Sequence, residues 1–299
     1  MTLPLVFHPI YSQLTLPVRH RFPIEKYAAI KEALLVEGVD MSNFNLPEAV
    51  DFELLENTFD NTYIQQLCSG SLDEKAMRRI GFPWSEQLIR RTRTAVGGTL
   101  RTARLAMDHG VALNLTGGYH HAFADFGSGF CMINDLYLAA LQMLDTPGVD
   151  KVMIFDCDVH QGDGTAKLAE NNPQIFTVSI HGEKNFPHRK QHSDIDIGLV
   201  KGTQDEAYLS TVEEALLLGL RNASPDAVIY DAGVDVHEND ELGHLHVSTE
   251  GVYRRDKLVL DTCKKNGIPV AAVIGGGYQR DIPALVDVHM QLFRAAGCF

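Results

Sequence analysis

Cysteine is sparse in this chain: Cys68, Cys131, Cys157, Cys263 and Cys298 make an odd count of five with no C-x-x-C spacing. That argues against a disulfide framework or a thiolate zinc site and fits a reducing compartment. Basic residues are in deficit, 26 against 39 acidic ones, for a net charge of −13. This balance opposes direct binding to nucleic acid or anionic lipid and makes a cationic substrate the natural partner. Long hydrophobic runs are missing too, so no membrane span is expected. Pro4, His8 and Pro9 fall where a signal peptide needs an unbroken apolar stretch, so a soluble, cytoplasmic protein is expected. No Ser/Gly-rich tract, charge block or internal repeat divides the sequence. Residues 1–299 therefore read as a single domain, and a hydrophobic fraction of 45% supports a full core.

What is present from Val111 onward is an alternation of short apolar runs with helical patterns. Val111–Leu115, Val152–Phe155, Ile175–Ile180, Ala227–Tyr230 and Ile268–Ile274 read as strands, being short, β-branched and bounded by turn residues. Ser85 precedes a stripe of Leu88, Thr92, Ala95, Thr99, Ala103 and Ala106 at helical spacing. Thr203 and Glu206 form an expected capping box ahead of Tyr208, Val212, Ala215, Leu216 and Gly219. Near the N-terminus a short strand at Leu3–Phe7 and a helix across Ile24–Val36 are expected. The pattern predicts an α/β fold with a mainly parallel central sheet and helices on both faces.

The chemistry gathers where those strands end. After the apolar run ending at Phe155 come Asp156, Asp158, His160 and Asp163. Residues two apart in an extended segment point the same way, so Asp158 and His160 can face one ion while Asp156 reaches beneath it. After the strand at Val111 come Gly117, Gly118, His120 and His121; after Tyr230 come Asp231 and Asp235; after Ile274 come Gly275-Gly276-Gly277-Tyr278. Open α/β sheets place ligand crevices at such strand ends. Asp158, His160 and Asp235 would leave a fourth coordination position open, as catalytic sites do. His120 and His121 then suit proton transfer, Asp156 and Asp163 suit orienting them, and Tyr278 suits donation to a developing oxyanion. Together these describe metal-assisted hydrolysis of an acyl bond. Taken singly each has a plainer reading: Asp163 or the paired histidines could cap a helix, Asp235 could pair with Arg254, and the glycine run could be only a turn. Asp231 has two readings, a strand-end hydrogen bond and tuning of ligand or histidine charge, of which the first is favoured.

These residues resemble the histone deacetylase superfamily over nearly the whole chain, from His8-Pro9 and His20-Arg21-Phe22-Pro23 to Gly275-Gly276-Gly277-Tyr278. The specific elements are Gly118 to Ala122, Gly129-Phe130-Cys131 with Asn134-Asp135, the Asp-x-Asp-x-His run from Asp156, and Gly233 to Asp235. Asp240, Leu242-Gly243 and the Tyr278-Gln279 ending most resemble the class IV branch and its bacterial relatives. The resemblance implies an arginase/deacetylase-like fold and one zinc per chain on Asp158, His160 and Asp235. It implies His121 as general base and then acid, His120 as a steadier of charge, Asp156 and Asp163 as their partners, and Tyr278 as polariser of the scissile carbonyl. Gly129 matches the backbone position meeting the substrate amide, and Phe130 with Phe186 the aromatic walls of an acyl-lysine tunnel. Asp156, Asp158, His160, Ser179 and Ile180 match a monovalent-cation site, usually potassium.

The implied activity is hydrolysis of N-acyl-lysine amides in peptides or proteins, with long fatty-acyl groups among the candidates. Acylpolyamines or other small amides are an alternative substrate class, and a metal-stabilised binding scaffold without turnover is the non-enzymatic one. The two-metal ureohydrolase group fits poorly, since it wants additional Asp and His ligands.

Overall fold

A computed structural model describes residues 3–299. Its elements run β1 (Leu5–Val6), α1 (Lys26–Val36), β2 (Phe44–Asn45), α2 (Phe52–Thr58), α3 (Asn61–Ser69), α4 (Glu74–Ile80), α5 (Glu86–His109) and β3 (Val111–Asn114). They continue as α6 (Asp135–Leu144), β4 (Val152–Asp156), α7 (Asp163–Ala169), β5 (Ile175–Gly182), β6 (Ile195–Leu199) and α8 (Asp205–Ala223). The last are β7 (Ala227–Asp231), α9 (Thr249–Lys265), β8 (Val270–Val273) and α10 (Ile282–Ala295). The eight strands form one sheet in the order β2-β1-β3-β8-β7-β4-β5-β6, and every pairing is parallel.

Strands covered on both faces must be apolar throughout, and β4, β7 and β8 are buried at every position. α5 packs on β3 and β8 and α6 on β4 and β7, while α8 packs on β4 and β5 and continues through α9 and α10 to α1. The sheet is thereby sandwiched between helical layers. The expected stripes are buried as read, from Leu88 to Ala106 on α5 and from Tyr208 to Gly219 on α8. Ser85 caps α5 by accepting from the Leu88 amide at 3.0 Å. Two glycines inside α5 let the N-terminal segment lie directly on the helix. A Cβ on Gly97 would sit 1.9 Å from the Glu48 carbonyl oxygen, and one on Gly98 2.0 Å from the Tyr11 hydroxyl.

Three local expectations need correction. Thr203 does not cap α8: its hydroxyl donates to the Val200 carbonyl at 2.7 Å and the helix starts at Asp205 with no side-chain cap. The N-terminal strand is only Leu5–Val6. Two strands, β2 and the edge strand β6, lie in segments not read as strands; β6 alternates in exposure and carries Gly198.

Candidate active site and metal centre

The adjacent strands β3, β8, β7 and β4 deliver all the chemistry from their C-terminal ends. In register Asp156 lies opposite Asp231, and Asp231 opposite Val273. The backbone beyond each strand is then pinned by the carboxylates themselves. Asp156 Oδ1 accepts from the Asp158 amide (3.0 Å), Asp158 Oδ2 from the Gly276 amide (2.8 Å), and Asp235 Oδ1 from the Val159 amide (2.8 Å). The first contact turns the chain just beyond β4, and the other two each tie one strand-end loop to another.

Asp158, His160 and Asp235 converge: His160 Nδ1 is 3.0 Å from Asp158 Oδ1 and 3.0 Å from Asp235 Oδ2. All three are buried, with ligand atoms within 4.8 Å of one another. Two carboxylate oxygens and one imidazole nitrogen suit a zinc-like divalent ion. In the metal-free chain burial would depress His160, yet hydrogen bonds to Asp158 and Asp235 hold its pKa up at about 10. Burial and the neighbouring Asp158 push Asp235 up to about 7. Two carboxylates around one imidazole thus favour a positive charge at their centre. Asp235 does not pair with Arg254, which bonds Glu206 at 2.8 Å on the surface.

His121 lies beside this group, its ring 5.8 Å from that of His160. Its Nδ1 donates to Asp163 Oδ1 at 2.6 Å, leaving Nε2 with a free lone pair. Burial, and then His120, lower its pKa to about 4 against the pull of Asp163. His120 Nδ1 is 2.8 Å from Asp156 Oδ2; burial opposes its charged form, but Asp156 and Asp158 lift its pKa well above the usual value. Tyr278 stands on the other side, its ring 6.3 Å from His160, with its amide held by Asp240 Oδ2 at 2.7 Å.

Aromatic rings frame the approach. Phe186 packs edge-on against His121 at 4.9 Å, and Phe130 lies 5.9 Å from Tyr278. Gly129 sits between them with φ 51°, and a Cβ there would fall 2.7 Å from the His121 ring. Phe22 and Phe82, 5.4 and 5.3 Å from Phe130, extend this wall. Ser179 and Ile180 are buried on β5 beside the end of β4, with Ser179 opposite Asp156.

Two groups escape sequence reading. Lys26, on the buried side of α1, directs Nζ to the Gly275 and Gly277 carbonyls at 3.2 and 3.5 Å. Arg255 on α9 is fully buried and donates to the Gly233 and Ala232 carbonyls at 2.6 and 3.1 Å, on the segment leading to Asp235. Neither stands in a motif; each looks like one more charge on a helix. Asp231 is a correction: it is fully buried, and neither side-chain oxygen has a hydrogen-bond partner, so it is no strand-end hydrogen-bonding group.

The family model of the histone deacetylase domain matches residues 20–292. The chain belongs to the histone deacetylase family. It is a histone deacetylase-family hydrolase by that membership, with a buried His/Asp metal-binding group in place. An uncharacterized protein of Picosynechococcus is 46% identical over 297 residues, 99% of each chain. Histone deacetylase 8 of Xenopus tropicalis is 28% identical, covering 92% of this chain and 79% of its own. In fold, the acetylpolyamine aminohydrolase from Burkholderia pseudomallei superposes with a TM-score of 0.81 over 99% of both chains at 22% identity. No described helix is long and apolar enough to cross a membrane.

Proposed function

We propose that residues 1–299 form one catalytic domain that hydrolyses N-acetyl-lysine amides in peptides or proteins, with one zinc per chain on Asp158, His160 and Asp235. The observation that carries this reading is the placement of a histidine–carboxylate pair, His121–Asp163, and a tyrosine, Tyr278, on either side of the His160 donor group. When bound, the metal supplies Lewis acidity toward the amide carbonyl and lowers the pKa of its water to roughly 7. His121 Nε2 takes a proton from the attacking water and returns it to the departing amine, while Asp163 fixes the tautomer and raises basicity. His120, held by Asp156, steadies charge beside it. The Tyr278 hydroxyl donates to the carbonyl oxygen as negative charge develops. Phe130 and Phe186 hold the lysine stem, and Gly129 leaves its backbone open to the substrate amide. Potassium is proposed at Asp156, Asp158, His160, Ser179 and Ile180.

An acetyl group is the acyl group proposed. The pocket beside His121 and Tyr278, lined among others by Phe22, Lys26, Tyr119 and Phe130, is small, which supports a short acyl chain over a long one. Asp240, which accepts from the Leu242, Gly243 and Tyr278 amides at 2.8, 2.9 and 2.7 Å, supports placing the chain near the class IV branch. All five cysteines are free, which supports action in the cytoplasm. A second reading, deacetylation of acylpolyamines, is favoured by the fold shared with the Burkholderia enzyme and by the net charge of −13.

The test is turnover by the zinc-loaded protein on acetyl-, octanoyl- and myristoyl-lysine peptides and on acetylated polyamines, with Tyr278→Phe as control. Acetyl-lysine turnover should dominate and fall about 100- to 1,000-fold in the variant, the usual cost of one oxyanion donor, with melting temperature unchanged. Preference for polyamines would establish the second reading. No turnover on any of these substrates would leave a metal-stabilised scaffold.

A further inference from the structure

We infer that Asn134 is a positioning residue that holds His121 against Asp163, a role that rests on the proton-transfer reading of that pair. His121 and Asp163 come from separate elements: His121 lies in the turn that follows β3, and Asp163 opens α7. Their 2.6 Å contact therefore depends on how the turn and the helix are seated on each other. Asn134, immediately before α6, is fully buried and bonds to both. Its Nδ2 donates to the Ala122 carbonyl at 3.2 Å, on the turn, and to Thr165 Oγ1 at 2.9 Å, on α7. Its Oδ1 accepts from the Tyr137 amide at 2.9 Å, so the same side chain caps α6. One amide group thus fastens three elements beside the pair.

The surrounding contacts give this clamp its leverage. α7 lies directly on the turn: a Cβ on Gly164 would fall 2.3 Å from the Ala122 carbonyl oxygen and 2.7 Å from that of His120. The Thr165 amide donates to the His120 carbonyl at 3.0 Å. Asp135 grips the entry to the turn, accepting from the Gly118 and Tyr119 amides at 3.2 and 2.7 Å. Asp135 therefore ties the entry of the turn to the start of α6, and Asn134 ties its exit. Asp163 Oδ1 also accepts from the Gly164 amide at 3.0 Å, which fixes the carboxylate to the first turn of α7. A shift of α7 then carries the carboxylate away from the imidazole instead of letting it follow.

The position calls for an amide. It must accept on the α6 side and donate on the other, which a side-chain amide does at once and an ionised carboxylate cannot. Serine would keep the cap but is too short to span the turn and α7. A misplacement of about 1 Å at a reacting group costs on the order of 100-fold in rate. The cost falls on turnover and not on binding, because Asn134 acts through His121.

The experiment compares Asn134→Ser and Thr165→Val with the unaltered zinc-loaded protein. Serine removes both donors and keeps the cap; valine keeps the branched shape and removes only the α7 end of the bridge. Turnover number, KM and zinc content are measured on acetyl-lysine peptide, and the His121 Nδ1–H proton is followed by NMR, assigned by its absence from His121→Gln. In both variants the turnover number should fall on the order of 10- to 100-fold with KM and zinc content held, and the proton resonance should move upfield as the bond to Asp163 lengthens. A resonance left in place in both folded variants would overturn the inference, whatever the rate. Should Asn134→Ser fail to fold, Thr165→Val leaves the α6 cap intact and decides alone. The resonance is read without substrate, so an unaltered chain that turns nothing over would sink the hydrolytic reading while the resonance still decides the clamp.

Discussion

Asp163 shows how a single carboxylate sets the chemistry of its neighbour. His121 is pulled down to about 4 by burial and then by His120, and Asp163 works against both. Asp163→Asn removes that support, so His121 becomes a weaker base. The turnover number should fall by roughly 100- to 10,000-fold, the range of general-base contributions, with metal content unchanged; an unaltered rate would take Asp163 out of the proton path. At this scale the sequence was highly legible. Asp156, Asp158, His160, Asp163 and Asp235 come together because they follow strand ends, and strand ends are visible as apolar runs. Asp231 was misread because its meaning depends on what surrounds it: glycine α-carbons on both sides leave it no donor, and no spacing rule reveals that.

Elements carry two predictions of their own. Glycine in a helix interior ordinarily costs about 1 kcal/mol relative to alanine, yet Gly97→Ala and Gly98→Ala in α5 should destabilise, because the new methyl meets the Glu48 carbonyl or the Tyr11 hydroxyl. A raised melting temperature in either would refute that packing. On α9, Arg255 and Asp256 are both fully buried, paired at 2.8 Å, with Tyr230 donating to Asp256 at 2.6 Å. Removing one partner of a buried pair costs about 3–5 kcal/mol. Arg255→Met should lose that much in denaturant unfolding and also weaken metal binding, since the Ala232 and Gly233 carbonyls lose their anchor beside Asp235. Restoring stability with a second change, Asp256→Leu, should leave metal affinity low. Helices and central strands were readable because periodicity reports burial. The two-residue β2 and the half-exposed β6 offer too few buried positions to announce themselves, and Thr203 misled because its hydroxyl found a closer carbonyl in the preceding turn.

For the molecule as a whole, several histidines are buried in neutral form. His121 and His181 are lowered to about 4, chiefly by burial, and His289 well below its usual value for the same reason. The unfolded chain takes up protons below about pH 6.5 that the folded chain refuses. Stability is therefore full above that pH and lost as pH falls toward 4, by about 1.4 kcal/mol per pH unit for each such histidine. His289→Met should reduce the slope of unfolding free energy against pH by one histidine's share, measured in urea from pH 7 to 4.5; an unchanged slope would show that His289 is protonated in the native state. The strand order carries a consequence for how the protein is made. β8, the last strand synthesised, lies in the middle of the sheet between β3 and β7. Before Val270–Val273 emerges, the growing chain is two half-sheets, each with a bare inner edge open to strands of other molecules. The Gly276 amide that holds Asp158 does not yet exist. An unfinished chain can neither seal itself nor fix Asp158 beside His160 and Asp235, so a ribosome stalled before Gly276 would display a sticky fragment whose site is still open.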